Sequence, residues 1–270
     1  MSAADHEQTS GTTAGVSPDG LTLRELYRVT SWDADPRARL SPAALGRYLQ
    51  ETAVNHADRL GVGFQTLQRE GLTWVVGGLL VRVHRYPVFQ DEVVLETWPR
   101  TLSGLRGLRD FRLLSAAGEE LAAASGAYFL MSLRSRRAVS LDRFEQHRPW
   151  RDDRALDRDT DKLPPMADHE LEQHVPLRWS DIDLLGHVTN TRYLDLALET
   201  YEPGFLRSHE IAEMEVNFLA EAVYPDVVIS RRIRASDSPL TFDHVLLRGQ
   251  DRREVYRARL VWRPAGAAAR

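Results

Sequence analysis

"SDIDLLGHVTNTRYLDLALETY", Ser180–Tyr201, decides how the rest of the chain is read, because it has a twin. Laid beneath "WDADPRARLSPAALGRYLQETA", Trp32–Ala53, it brings Asp181 onto Asp33, Asp183 onto Asp35, Glu199 onto Glu51 and Thr200 onto Thr52, all at one offset of 148 residues. In each copy a pair of acids and a short loop lead into an amphipathic run. In the first, Ser41 is an N-cap with Pro42 in the first turn. Leu45, Tyr48, Leu49, Thr52, Ala53 and His56 follow at helical spacing until Gly61. In the second, Thr189 or Asn190 caps, and Tyr193, Leu194, Ala197, Leu198 and Tyr201 form the stripe until Pro203-Gly204.

Working outward, each helix is followed by tracts in which apolar and polar residues alternate, the pattern of half-buried antiparallel strands. The first half carries "TWVVGGLLVRVHRYPVFQDEVVLETWPR" and "GLRDFRLLSAAGEELAAASGAYFLMSL", the second "AEMEVNFLAEAVYPDVVISRRIRA" and "FDHVLLRGQDRREVYRARLVWRP". "AAGEE" and "GQDRRE" read as hairpin turns. One helix per run of strands predicts an α+β fold in which each curved antiparallel sheet wraps one long helix. The expected organisation is a disordered tail over residues 1–20, an N-terminal half over 21–141, a linker over 142–171, a C-terminal half over 172–264 and a tail over 265–270. The linker assignment rests on mixed charge, Trp150 and Pro164-Pro165.

Composition narrows the function classes. The chain is 43% hydrophobic and 27% charged, with a net charge of −4, which is no electrostatic footprint for nucleic acid. It has no cysteine, so disulfides, thiolate zinc sites and a cysteine nucleophile are excluded. No apolar run approaches the roughly 18 residues of a membrane span. The N-terminus lacks the basic-then-apolar order of a signal peptide, so the expected location is cytoplasmic. No glycine-rich phosphate loop or metal-ligand cluster is present, and no cofactor is expected.

The ordered set "YLQETAVNHADRLG", "RYPVFQDEVVLETWPR", "GLRDFRLL", "GEELAAASGAYFLM", "SRRAVSL", "DIDLLGHVTNTRYLDLALET" and "EVNFLAEAVYPDVV" resembles the acyl-acyl carrier protein thioesterases of plant plastids and bacteria, over roughly residues 21–264. The resemblance implies a double hotdog and hydrolysis of fatty acyl-acyl carrier protein thioesters. It implies an acyl carrier protein as partner, and leaves a homodimer open. It also implies an active site in the second half, with Asp183, His187 and Glu221 as catalytic residues. The family's Asn, two positions after the Asp, is Leu185 here, and an isobutyl group cannot replace an amide in hydrogen bonding. Ala222 stands where plant members often carry Cys or Gln, and Thr189-Asn190 where many carry two Asn residues.

The chemistry these residues offer is independent of the resemblance. A carboxylate beside a thioester carbonyl acts as general base on water or attacks as nucleophile. The N–H groups at a helix N-terminus stabilise the developing oxyanion, and imidazole titrates near neutrality. Gly186 gives the backbone room to turn or to approach the acyl group, and Asn190 suits a helix cap. On β alternation, Glu215, Asn217, Leu219 and Glu221 share one face, opposite Met214, Val216 and Phe218. The first half lacks the Gly-His pair and reads as the acyl-tunnel half, with Leu49, Ala53, Trp74, Val76 and Leu79 as lining candidates. Asn55 and His56 read as polar residues of a buried helix. Arginines in "RTLSGLRGLRDFR", "RSRR" and "RRIR" are either solvated strand faces or a docking patch for an acidic carrier. If Leu185 leaves Asp183 short of a donor, the Gly186 or His187 backbone, Asn190, or Glu221 through a water must supply one. The alternatives on the same fold are an acyl-CoA or polyketide-type thioesterase, or a non-hydrolytic acyl-thioester-binding or dehydratase-like protein.

Overall fold

The computed structural model describes residues 15–17, 20–147, 150–235 and 238–266, without the side chains of 101–103 and 145–147. Of the tails expected from the sequence, residues 1–14, 18, 19 and 267–270 lie outside the described residues. Gly15–Val16 (β1) pair with the first strand proper, Leu23–Arg28 (β2).

The other strands are Leu72–Val83 (β3), Glu92–Ser103 (β4), Arg106–Ser115 (β5), Glu120–Ser132 (β6), Ala138–Val139 (β7), Leu171–Pro176 (β8), His209–Phe218 (β9), Val227–Arg234 (β10), Thr241–Arg248 (β11) and Glu254–Pro264 (β12). The duplication is visible in their order. The first half runs β2-β4-β5-β6-β3, the second β9-β12-β11-β10-β8, the same permutation traversed in reverse. The halves meet where β3 pairs antiparallel with β9, Gly78 opposite Asn217 and Val81 opposite Met214. That seam carries the pseudo-twofold relation and makes one continuous antiparallel sheet, the double hotdog that the resemblance implies.

Helix α1, Pro42–Arg59, forms as the sequence predicts. The Ser41 hydroxyl accepts from the Ala44 N–H, and Gly61 ends the helix with φ +73, a left-handed conformation glycine adopts without steric cost. All six stripe residues are buried. A short helix, Phe64–Arg69 (α2), follows. The second-half helix is shorter than expected: α3 spans Asn190–Leu198. Pro203-Gly204 does not end it but opens a separate helix, Pro203–Ser208 (α4), with proline at the position where a missing N–H costs nothing. Tyr193, Leu194 and Ala197 of the stripe are buried, with Leu196. The two helices touch at Gly46, where an added Cβ would lie 3.2 Å from the Thr191 Cγ2.

The segment between the halves is a packed strap. It crosses the sheet's other face from β4 and β5 to β9. The Trp98 indole donates to the Asp153 carbonyl at 3.0 Å, and the Ala155 N–H donates to the buried Asp110 carboxylate at 2.8 Å. Leu156 is buried against Leu80 and Ala123. Past the seam, Arg158 pairs with Glu213 and Glu215, and the Leu163 N–H donates to Asn217 Oδ1 at 2.7 Å. The strap thus supplies partners for polar residues that a sheet face would otherwise bury unpaired. It also accounts for Glu215 and Asn217 facing together. Glu221 does not join them: β9 ends at Phe218, the Leu219 and Ala220 N–H groups both bond the Val255 carbonyl, and the chain turns Glu221 away from the strap.

Candidate active site

The repeat reproduces a hydrogen-bonded loop at the mouth of each helix. In the first half the Asp35 N–H donates to the Arg39 carbonyl (2.7 Å), and Asp35 Oδ1 accepts from the Arg37 and Arg39 N–H groups (2.8 and 3.2 Å). In the second half the Asp183 N–H donates to the His187 carbonyl (2.8 Å), and Asp183 Oδ1 accepts from the Leu185 and His187 N–H groups (2.8 and 3.4 Å). An aspartate bonding its own backbone two residues on is a self-sufficient turn. Each turn needs a left-handed residue in the middle, Ala38 at φ 59 and Gly186 at φ 82. The glycine removes the strain that alanine carries.

The donor missing from the Leu185 side chain is therefore supplied by the backbone of Leu185 itself and of His187. The twin loop shows what else the isobutyl group changes. Position 37 is arginine, and its guanidinium bonds Asp35 Oδ2 at 2.6 Å, closing that carboxylate into an ion pair. At position 185 no such cation exists. Among the described residues Asp183 Oδ2 makes no hydrogen bond, and Asp183 lines a cavity of about 990 Å³.

The caps differ in the same sense. Ser41 caps α1 with its hydroxyl, whereas its counterpart Thr189 is the N-cap of α3 but makes no side-chain bond. Asn190 does not cap; it is the first residue of α3 and lines the cavity with Thr191. The first-turn N–H groups of α3 thus lack the side-chain acceptor that α1 has.

Glu221 and His187 also line the cavity, and their side chains meet, His187 Nε2 to Glu221 Oε2 at 3.1 Å. Neighbouring tethers fix the Glu221 backbone. Its carbonyl accepts from Arg248 at 3.0 Å, the Ala222 N–H donates to the Tyr193 hydroxyl at 3.0 Å, and the Ala222 carbonyl accepts from the Val188 N–H at 2.9 Å. Burial, with the Glu221 and Asp183 charges, pushes the Tyr193 hydroxyl up to about 12, so it stays a neutral anchor. Ala222, fully buried, serves through its backbone.

The tunnel candidates Leu49, Ala53, Trp74, Val76 and Leu79 all line this same cavity, as does Leu185 at its rim, 45% exposed beside Leu184 at 83%. Gly186 does not line it; its contribution is the left-handed turn. Deeper in the first half, buried Arg109 lines the cavity and donates to His56 Nδ1 at 3.0 Å and Thr97 Oγ1 at 3.2 Å. Burial and the Arg109 charge lower His56 to about 4, which keeps it a neutral acceptor, and burial lowers Arg109 to about 10. Asn55, by contrast, bonds Glu25.

Most of the arginine clusters are consumed by structure. Arg100 pairs with Asp110 and Asp159, Arg106 donates to the Thr160 carbonyl, and Arg232 stacks over the Tyr201 ring. Arg136, Arg248 and Arg253 do line the cavity. The tyrosine anchor, the Arg109–His56 pair and Arg136 were not singled out by sequence reasoning. For the second of these the signal in the sequence is a histidine at stripe spacing in α1 and an arginine within a strand pattern, with nothing local to join them.

Comparison with known proteins agrees with this geometry. Residues 20–143 match the acyl-ACP thioesterase N-terminal domain and residues 166–264 the acyl-ACP thioesterase C-terminal domain. The chain is 31% identical over 265 residues to a chloroplastic dodecanoyl-[acyl-carrier-protein] hydrolase of Cinnamomum camphora, covering 92% of this chain and 69% of that protein. It is 30% identical over 268 residues to a chloroplastic palmitoyl-acyl carrier protein thioesterase of Cuphea hookeriana, covering 91% and 63%. The chain thus spans about two thirds of the length of these plant proteins. Among solved structures it is similar to the 12:0-ACP thioesterase of Umbellularia californica, with TM-score 0.80, 27% identity and coverage of 90% and 98%. The fold is also that of an acyl-ACP thioesterase from Bacteroides thetaiotaomicron, with TM-score 0.79, 19% identity and coverage of 90% and 98%. With both family domains matched in order, and the paired sheets and twin loops that go with them, the chain belongs to the acyl-ACP thioesterase family.

Proposed function

We propose that this protein hydrolyses fatty acyl-acyl carrier protein thioesters, releasing the free fatty acid and the carrier thiol. The observation that carries the reading is the asymmetry of the twin loops: the acid that faces the cavity is the one without a cation on its second oxygen.

The acyl chain lies in the apolar cavity between α1 and β3, with Leu49, Ala53, Trp74 and Val76 along it. The thioester carbonyl points its oxygen at the uncapped N–H groups that open α3, where the helix dipole favours negative charge. Asp183 Oδ2 takes a proton from a water molecule as that water attacks the carbonyl carbon. The tetrahedral intermediate collapses with cleavage of the C–S bond, and the departing thiolate takes up, through the His187 imidazole held by Glu221, the proton that Asp183 removed from water. Water supplies both the hydroxyl of the acid and the proton of the thiol, so no co-reactant is needed. Direct attack by Asp183 is the second reading, favoured by the same unpaired oxygen.

The carrier protein as acyl donor is supported by family membership and by the names of the relatives above. A cytoplasmic location and homodimerisation belong to this proposal as well. The test is a hydrolysis panel of acyl-carrier-protein and acyl-CoA substrates read by free thiol. Turnover of acyl-carrier-protein well above that of the matching acyl-CoA is expected; the reverse preference would move the protein to the acyl-CoA thioesterases, and no release from either would leave a binding protein.

A further inference from the structure

We infer that Arg136, contributed by the first half, is a positioning residue of the hydrolytic site: it holds the Glu221 carboxylate on His187. This inference rests on the assignment of Asp183, His187 and Glu221 above.

Arg136 Nη2 donates to Glu221 Oε2 at 2.5 Å, and that same oxygen receives His187 Nε2 at 3.1 Å. The contact spans the two halves, 85 residues apart in sequence, and both partners line the cavity. The turn that presents Arg136, between β6 and β7, is tightly pinned. The Arg136 N–H donates to the Ser132 carbonyl at 2.9 Å, the Ser132 N–H to the Arg137 carbonyl at 2.9 Å, and the Ser135 N–H to Ser132 Oγ at 3.2 Å. Arg136 itself sits at φ 55, a left-handed conformation that residues with a Cβ seldom adopt. A strained backbone held by its surroundings, at the rim of a cavity, with its side chain on a site carboxylate, is the pattern of a residue kept for placement.

The need for such a residue is local. The tethers from Arg248, Tyr193 and Val188 fix the Glu221 backbone, but its side chain is 44% exposed and free to rotate into water. Arg136 is the cation that aims it. A carboxylate held on Nε2 keeps the imidazole proton there and leaves Nδ1 as the ring's basic atom, because the partner of one ring nitrogen fixes the tautomer of the other. The Arg136 side chain is 63% exposed, and exposed ion pairs contribute little to folding. Its removal therefore leaves the fold intact.

The test is a double-mutant cycle of Arg136→Met and Glu221→Gln on the full chain, with acyl-carrier-protein substrate and Arg136→Lys as the conservative variant. Arg136→Met should lower kcat about tenfold with KM within about twofold, Arg136→Lys should recover much of the loss, and Arg136→Met should add nothing in the Glu221→Gln background. Imidazole nitrogen NMR of the ligand-free protein should show a smaller Nε2–H fraction for His187 in Arg136→Met. A rise in KM with kcat unchanged, or an equal loss in both backgrounds, would overturn the inference in favour of a substrate-binding role. Wild-type kcat in Glu221→Gln alone would instead overturn the site assignment on which it rests.

Discussion

Asp35 and Asp183 hold the same hydrogen-bonded turn at the mouths of α1 and α3, yet Arg37 occupies the second oxygen of Asp35, and nothing among the described residues occupies that of Asp183. The duplication thus carries its own control. One copy shows the loop as a structural brace, with its acid neutralised; the other shows it with the acid left available. Leu185 is the residue that separates the two states, since it stands where Arg37 stands and has no polar atom to offer.

Restoring the first-half arrangement should switch the second half off. Leu185→Arg places a guanidinium where Arg37 sits, and turnover should fall by about tenfold or more as the Asp183 carboxylate becomes an ion pair. Thermal stability should hardly change, because the position is exposed at the cavity rim. Leu185→Asn, with no charge to bring, should leave turnover unchanged or higher. A Leu185→Arg protein as active as wild type would show that Oδ2 is not the reacting atom.

Chain-length preference should follow the first half. Ala53 faces the cavity from α1 opposite the Trp74 and Val76 strand. Ala53→Phe fills part of that space and should shift the preferred acyl chain several carbons shorter, while short-chain turnover is retained. Each methylene excluded forfeits about 0.8 kcal/mol of burial. An unchanged product profile, measured by chromatography of the released acids, would place the acyl chain elsewhere.

Two buried histidines predict an acid limb of stability. Burial, with the Arg109 charge, lowers His56 to about 4, and burial, with the Arg232 charge, lowers His244 to about 3. Unfolded, both take up a proton near pH 6.5. Between that pH and about 4 the unfolded chain binds more protons than the native one, so stability falls as pH drops through this window. Burial holds the Asp195 carboxyl above the usual range, an effect of opposite sign, so the histidine share is read from the variant. Urea unfolding at pH 7 and 5 should show the decline, and His244→Phe should make it shallower. The same slope in the variant would remove His244 from the account.

Much of this architecture was legible in the sequence, for physical reasons. The offset between Asp33 and Asp181 exposed the duplication, Ser41-Pro42 marked the start of α1, and strand alternation marked the sheets. What escaped notice depended on distance in the chain. Alternation assigned Glu221 to the face of Glu215 and Asn217, but the strand ends at Phe218, and alternation says nothing beyond a strand's last ladder bond. The strap read as linker because its composition is mixed; its structure comes from Asp110, Glu215 and Asn217, polar residues of distant strands that no local pattern connects to it. Pro203 reads as a stop in the sequence and is a start in the structure, since proline suits either side of a boundary. Of the replacement donors named from the sequence, the His187 N–H is one of the two that reach Asp183 Oδ1; the Leu185 N–H is the other, hidden because a substitution is read by its side chain and the turn is made of backbone.

The central claim is that Asp183 performs the chemistry, and single-turnover hydrolysis of an acyl-carrier-protein thioester by Asp183→Asn tests it most directly. Asparagine preserves the Oδ1 contacts to the Leu185 and His187 N–H groups and removes only the basic oxygen, so the variant should fold and bind as wild type does. Its rate should be lower by roughly 100-fold or more, the contribution of a positioned base. A folded Asp183→Asn protein that releases thiol at close to the wild-type rate would contradict the account.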